Sequence, residues 1–240
     1  MPSDLVEVEV SICAWSALTM RVAASLLACR KTPVGFDLLL LKRNSRNSFR
    51  DLVTFPGGAL STDDGQLLHL DKHRIAALRE TFEETGLLLL KLGSNLSKQQ
   101  SLDWRTTSSE DPTAFAKLLN LRAHNHALPT LIFYAHWTTP MGMPTRFNTR
   151  FYLAQVTEAL EWSHLQVDGT ENVEMFWASP KDALARAERG EYQMLPPQIC
   201  ALRELAQSSW DALTIPPVVE HIEPVIVNGK PHFSSLRFKL

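Results

Sequence analysis

Arg79-Glu80-Thr81-Phe82-Glu83-Glu84-Thr85-Gly86-Leu87 is the stretch on which the reading of this chain turns. Asp71 upstream supplies an N-cap and Gly86 a C-terminal stop, so the spacing predicts one helix between them. At about 100° per residue, Glu80, Glu83 and Glu84 fall within a sector of about 100°. Ile75, Leu78 and Phe82 gather on the opposite side. The helix is therefore expected to bury one side and to collect three carboxylates on the other. Ala76 and Ala77, one turn earlier, are expected to leave the acidic face open. Like charges at i, i+3 and i+4 repel, and no lysine is interleaved on this face to relieve them. A divalent cation offsets that repulsion. Hard cations such as Mg²⁺ take oxygen ligands, and share themselves between carboxylates, water and substrate phosphates. Three glutamates on their own also describe a solvated acidic face.

The wider pattern separates the two readings. Arg-Glu-x-x-Glu-Glu-x-Gly has five fixed positions, and at a usage of roughly 6% each a chance match is about 10⁻⁶ per register. Over a chain of this length that is on the order of 10⁻⁴. Phe55-Pro56-Gly57-Gly58 precedes it. Together these residues resemble the core of the Nudix box. The resemblance implies an α+β fold, an α/β/α sandwich with a mixed central sheet between helices. It also implies a hydrolase that cuts a phosphoanhydride bond with Mg²⁺ or Mn²⁺. Glu80 and Glu84 would be primary metal ligands, with Glu83 adding a ligand or acting through a bound water, and Gly58 completes the implied metal set. Glu80, Glu83 and Arg79 are the implied catalytic group, with Arg79 orienting a glutamate through a bidentate contact. Two positions depart from the family pattern. A glycine is expected fourteen residues before the arginine; Gly65 satisfies that count, and Asp71 then replaces the first glutamate. The Pro-Gly-Gly turn is the better counterpart. Gly58 lies twenty-one residues before Arg79, which implies a seven-residue insertion at Ala59 to Gly65. Thr81 also stands where an aliphatic residue is usual.

The family often places a further acid on a loop beyond the box. Asp168, Glu171 and Glu174 are the candidates, and Glu171 is the one favoured. A subgroup resemblance extends over residues 20–208. It rests on Ala135-His136-Trp137-Thr138-Thr139-Pro140, Arg146-Phe147-Asn148-Thr149-Arg150-Phe151, Trp177-Ala178-Ser179-Pro180 and Leu195-Pro196-Pro197-Gln198. In order and spacing these are similar to the peroxisomal coenzyme A diphosphatases, in which an aspartate stands at the position of Asn148. The implied substrate is coenzyme A or acyl-coenzyme A, cleaved to 3′,5′-ADP and (acyl-)4′-phosphopantetheine. ADP-ribose, dinucleotides or nucleotide caps are the rival substrates. A non-catalytic Nudix module that binds nucleotides or a partner is the rival class, against which the intact glutamate set argues. Arg146 and Arg150 have even, strand-like spacing and share a face. They suit substrate phosphates, and equally suit ordinary surface charge.

The remaining sequence bounds these readings. Of 240 residues, 24 are basic and 26 acidic, so no bulk positive charge points to nucleic acid. The expected partner is a small nucleotide-derived substrate, and the oligomeric state is left open. No run approaches the roughly 20 apolar residues of a membrane span. Cys13, Cys29 and Cys200 have neither metal nor redox spacing, and read as small buried hydrophobes of a reducing intracellular compartment. Phe238-Lys239-Leu240 matches a peroxisomal address only in its last two positions. The expected location is cytoplasmic or peroxisomal. One domain is expected over 1–240, with a helical insertion at about 91–128 and a C-terminal helix and hairpin extension at about 191–240. Strands are expected at Val22 to Ala28, Phe36 to Leu41, Leu87 to Leu90, Leu131 to Tyr134, Phe151 to Val156 and Val173 to Trp177. Helices are expected to open at Asp111-Pro112, Ser179-Pro180 and Pro196-Pro197. Asn228-Gly229 predicts a type I′ hairpin. His124-x-His126 lacks a third ligand and reads as polar loop. His136-Trp137 reads as strand packing rather than a base, and Met141 and Met143 as loop packing.

Overall fold

A computed structural model describes residues 20–44, 52–65, 71–90, 96–111, 113–122, 128–156, 165–235 and 237–238. Cys13, Pro112, His124 and His126 lie outside the described residues, as do Lys239 and Leu240.

Two long β-rich runs start the fold. β1 (Met20–Thr32) and β2 (Gly35–Arg43) form a hairpin around Pro33 and Val34. They pair only at the turn end, Cys29 to Thr32 against Gly35 to Leu38. Beyond that the strands splay. β3 (Val53–Thr54) takes the free end of β2, and β4 (Gly57–Ala59) takes the free end of β1. Phe55 and Pro56 bridge the two short strands, and the Pro56 carbonyl accepts from Leu26 N–H at 2.9 Å and Ser25 Oγ at 2.8 Å. The Pro-Gly-Gly turn is thereby wedged into the sheet rather than looped above it.

β5 (Ile132–Thr138), β6 (Arg146–Val156) and β7 (Asn172–Ala178) complete the main sheet. β6 runs parallel to β1, β5 antiparallel to β6, and β7 antiparallel to β2. The order is β3-β2-β1-β6-β5, with β4 on β1 and β7 on β2. β8 (His221–Ile222) adds a short parallel edge beside β5. Asn228 and Gly229, both at positive φ, turn β9 (Val225–Val227) into β10 (Lys230–His232), as a type I′ hairpin needs.

One face of the sheet packs on α1 (Lys72–Thr85) and α3 (Ala114–Arg122), with α2 (Lys98–Glu110) laid against those two helices. Ala24, Leu26, Ala28, Tyr152 and Ala154 meet Ile75, Leu78, Phe82, Phe115 and Leu118 there. The other face packs on α4 (Pro180–Glu188) and α5 (Pro196–Leu205), where Leu27, Leu38, Leu40, Phe151 and Leu153 meet Ala183, Ala201, Leu202 and Leu205. This is the expected α/β/α sandwich with a mixed sheet. Cys29 and Cys200 are buried small hydrophobes within it. Phe238 also belongs to it, packed 5.9 Å from the Trp137 ring. Among the described residues no helix is long and apolar enough to cross a membrane.

Three expectations are corrected. Leu87 to Leu90 are buried in the core on the α1 side of the sheet but form no strand. Ala76 and Ala77 are fully buried against the sheet and leave nothing open. Met141 and Met143 are exposed. Within the stretch expected to carry a helical insertion, Ser97 and Gln100 form a reciprocal capping box that opens α2.

Candidate active site

α1 begins where Asp71 accepts from His73 N–H and ends at Gly86, which takes φ 77° and returns its N–H to Phe82 O. The three glutamates lie in its last two turns. They do not face solvent as a stripe. Glu84 and Arg79 are each only 6% exposed, since β4, the loop before β7 and α2 close over this end of the helix.

Arg79 is the organising side chain. Its Nε and one Nη donate to the two oxygens of Asp64 at 2.9 and 3.0 Å. The other Nη donates to Glu80 at 2.8 Å and Glu83 at 2.9 Å, and the fifth N–H reaches the Ala59 carbonyl at 3.0 Å. All the donors of the guanidinium are used. The bidentate contact expected to a glutamate goes instead to Asp64, and each of the two glutamates receives one bond. Asp64 sits in the inserted loop, turned by Ser61 N–H donating to it at 2.7 Å. Sequence reading missed it, and the only signal was a buried arginine in need of a second anion.

Glu83 and Glu84 each accept two hydrogen bonds, while Glu80 accepts from Arg79 and lies against Gly58. Gly58 faces the Glu80 carboxylate so closely that a Cβ there would lie 2.8 Å from Oε1 and closer still to Oε2. A side chain at this position would push the Glu80 carboxylate out of its place. Glu84 accepts from Gly57 N–H at 2.8 Å and from Asn172 Nδ2 at 2.9 Å. Gly57, at φ 155°, would drive a Cβ into Ala24 and Ser25. Glu83 accepts from Arg79 and from Ser108 Oγ on α2.

The charge balance is unfinished. Burial pushes Glu80 up to about 7, against the pull of Arg79 and with a further push from Glu83. Burial pushes Glu84 up to about 8, opposed by Asn172 and reinforced by Glu80. Burial also raises Glu83. The same network raises Arg79 despite its own desolvation. Buried carboxylates that resist ionising are carboxylates short of positive charge.

The loop before β7 meets this end of α1. Asp168 N–H donates to the Glu84 carbonyl at 3.1 Å, and Asn172 Nδ2 bridges Glu84 to the Asp168 carboxylate at 2.9 Å. Burial opposes ionisation of Asp168, but donors from Thr170, Asn172 and Glu171 N–H hold it below the ordinary aspartate range. Glu171, the favoured acid, is 61% exposed at its side chain and pairs with Arg43 at 2.9 Å. Asp168 is therefore the acid of this loop that contacts the box. Beside it, Arg43 Nε and Asn172 Oδ1, on cross-strand neighbours, are buried without a hydrogen-bond partner. Among the described residues no three histidine, cysteine, aspartate or glutamate side chains converge closely enough to chelate a metal ion as placed.

The two β6 arginines share the α1 face, as expected. Arg150 is in register with Ala24, and Ala24 with Gly58. Two strand spacings, about 10 Å, separate Arg150 from the Gly58–Glu80 contact. Arg150 is 36% exposed at its side chain, 3.6 Å from Asp71 and over the Phe133 ring. Arg146 is committed elsewhere, to Glu223 and to the Thr139 carbonyl. His136 stacks on His221 and meets Asn148 at 2.6 Å, so it packs as expected.

A family model described as the NUDT19 Nudix domain matches residues 71–205, more than half of the chain. A Caenorhabditis elegans relative named among the nudix hydrolases is 33% identical over 196 residues, 80% of this chain and 62% of its own length. The Gallus gallus acyl-coenzyme A diphosphatase NUDT19 is 27% identical, over 74% of this chain and 63% of its own length. The chain thus spans less than two thirds of the curated relatives it matches. The crystal structure of a NUDIX hydrolase from Alicyclobacillus acidocaldarius superposes with a TM-score of 0.72 at 23% identity, covering 85% of this chain and 99% of that one.

Proposed function

The chain belongs to the NUDT19 Nudix domain family, and from that premise we propose that it hydrolyses the diphosphate of coenzyme A or acyl-coenzyme A to 3′,5′-ADP and (acyl-)4′-phosphopantetheine. The observation that carries the reading is the charge-deficient carboxylate group of Glu80, Glu83 and Glu84, clustered at the end of α1 with Glu84 buried and the other two half-buried. The name of the chicken relative supports the choice of substrate.

A divalent cation, Mg²⁺ or Mn²⁺, fits these residues in donor chemistry and in charge. The oxygens are hard donors, and the raised Glu80 and Glu84 mark the missing positive charge. Glu80, Glu83 and Glu84 would hold it, with the backbone at Gly58 beside them; Glu80 and Glu83 would yield part of their contact with Arg79. When bound, such an ion neutralises a diphosphate and lowers the pKa of a water.

The chain's own residues do the rest. Arg79, pinned by Asp64, keeps Glu80 and Glu83 in place as its partners. Glu83, fixed at both oxygens, retains lone pairs with which to orient a water. Asn172 and Gly57 N–H immobilise Glu84, and Asp168 takes the place proposed for a loop acid. Arg150 offers a guanidinium for a phosphate remote from the scissile bond. The test is product identification on a panel of coenzyme A, acyl-coenzyme A, ADP-ribose and NADH with Mg²⁺ and with Mn²⁺. Coenzyme A esters cleaved fastest is the expected result. Cleavage of ADP-ribose but not coenzyme A would overturn the substrate and leave the Nudix chemistry.

A further inference from the structure

Helix α2 lies outside the box, and the box alone does not call for it. Three contacts nevertheless lock it to the last turn of α1. Ser108 Oγ donates to Glu83 Oε1. Arg105 Nε donates to the Glu83 carbonyl at 2.9 Å. Ser101 Oγ lies 3.2 Å from where a Cβ on Gly86 would sit, so the glycine that ends α1 also admits α2.

Ser101, Arg105 and Ser108 are all buried, and their i, i+4, i+7 spacing makes them one face of α2. The face is polar where a packing face is ordinarily apolar. Two serines and an arginine contribute little to a core. They suit a helix end, whose last carbonyls lack partners, and they suit a carboxylate. Arg105 also lies within electrostatic reach of Asp168, Glu83 and Glu84.

Glu80 and Glu84 are held by the sheet and by α1 itself, through Gly58, Gly57, Asn172 and Arg79. Glu83 alone among the three takes its second partner from α2. We infer that α2 is a positioning element of the active site, in which Ser108 sets the Glu83 carboxylate for the divalent cation and Arg105 caps and counter-charges the helix end. This rests on the metal-binding reading above. Without the hydroxyl, Glu83 keeps only Arg79 and its carboxylate is free to rotate.

Mn²⁺ binding to the full chain without substrate, followed by electron paramagnetic resonance, reads this directly. The variants are Ser108→Ala, Ser108→Val and Ser108→Thr, with Glu80→Gln as control. The expected result is Mn²⁺ binding about ten-fold weaker in Ser108→Ala and Ser108→Val, as for loss of a hydrogen bond to a charged group. Ser108→Thr, which keeps the hydroxyl, should restore it. In turnover the same two variants should lower kcat at saturating metal and leave KM for substrate in place. If the Ser108 variants lose thermal stability while Mn²⁺ affinity holds, and Glu80→Gln loses it, the positioning role is overturned and the metal site stands. Equal behaviour of Thr and Val overturns the hydrogen bond as the cause. If Glu80→Gln also binds Mn²⁺ like wild type, the metal reading falls and the inference with it.

Discussion

The two ends of α1 are built on opposite terms. At the C-terminal end Glu84 is buried, Glu80 and Glu83 are half-buried beside it, and all three are short of positive charge. At the N-terminal end Asp71 is 38% exposed at its side chain, and meets Tyr152 at 3.0 Å, His73 at 2.9 Å and Arg150 at 3.6 Å. One end spends stability to immobilise charge, a cost that bonding chemistry repays when reacting groups must not move. The other keeps its charges solvated and adjustable, which suits recognition of a ligand that arrives and leaves. If the comparison is sound, substitutions at the two ends should differ in kind as well as in size.

The largest effect should come from the buried end. Glu84→Gln, which keeps shape and removes charge, should retain the fold by circular dichroism and lose turnover by orders of magnitude. Near-native product formation in that variant would break the comparison at its root. Next comes Arg79→Met. It strands Asp64 and frees both Glu80 and Glu83. Removing one partner of a buried ion pair costs about 3–5 kcal/mol, so chemical denaturation should show a loss of that order. Activity should fall even where the variant remains folded.

A smaller effect should appear in pH and metal together. Glu80 and Glu84 are raised from 4.5 to about 7 and about 8 when folded. The folded chain therefore holds protons that the unfolded chain has already released, and its stability falls as pH rises from about 4.5 to 8. A divalent cation replaces those protons. Added Mg²⁺ should therefore raise the melting temperature more at pH 8 than at pH 5.5. Equal shifts at both would say that the buried carboxylates are not what the cation meets.

The legibility of the molecule divides along the same helix. Asp71, Gly86 and the apolar spacing of Ile75, Leu78 and Phe82 declared α1 because capping and periodicity are local properties. The mixed sheet and its two helical layers were readable through the Nudix resemblance, with β-rich runs placing most strands. Leu87 to Leu90 misled, because a buried apolar run has the same composition whether or not a strand edge is free beside it. Asp64, Ser108 and Asn172 were not legible. Each acts across 15 to 88 residues of sequence on a side chain of α1, and a lone serine or aspartate in a polar stretch carries no mark of such a partner. Asp168 was legible as a member of an acidic loop. Its advantage over Glu171 came from its own N–H on the Glu84 carbonyl and from Asn172, whose amide bridges it to Glu84, while Arg43 draws Glu171 away.

The smallest effect belongs to the exposed end, and it sharpens the comparison most. Coenzyme A differs from its dephospho form by one 3′-phosphate, distant from the bond that breaks. Arg146 and Arg150 share a strand face, but their availability differs. Arg146 is 11% exposed at its side chain and held by Glu223 and the Thr139 carbonyl, so it ties the segment after β8 to the sheet. Arg150 has a long contact to Asp71, a hydrogen bond with the Tyr152 hydroxyl and the Phe133 ring beneath it, and it stays 36% exposed at its side chain. It can exchange a loose partner for a phosphate at little loss. Arg150→Ala should therefore lower the preference for coenzyme A over dephospho-coenzyme A about ten-fold, the lower range for a charge-assisted contact at a partly solvated site. kcat on the dephospho substrate should hold, because the glutamates are untouched. Arg146→Ala should leave that preference alone and instead lower the melting temperature. The ratio of kcat/KM for the two substrates, measured in wild type and both variants, decides it. Arg150→Ala that treats the two substrates as wild type does would remove Arg150 from the phosphate site. A loss of kcat on both would place Arg150 in the chemistry, and the division of α1 into a fixed end and an adjustable end would fail.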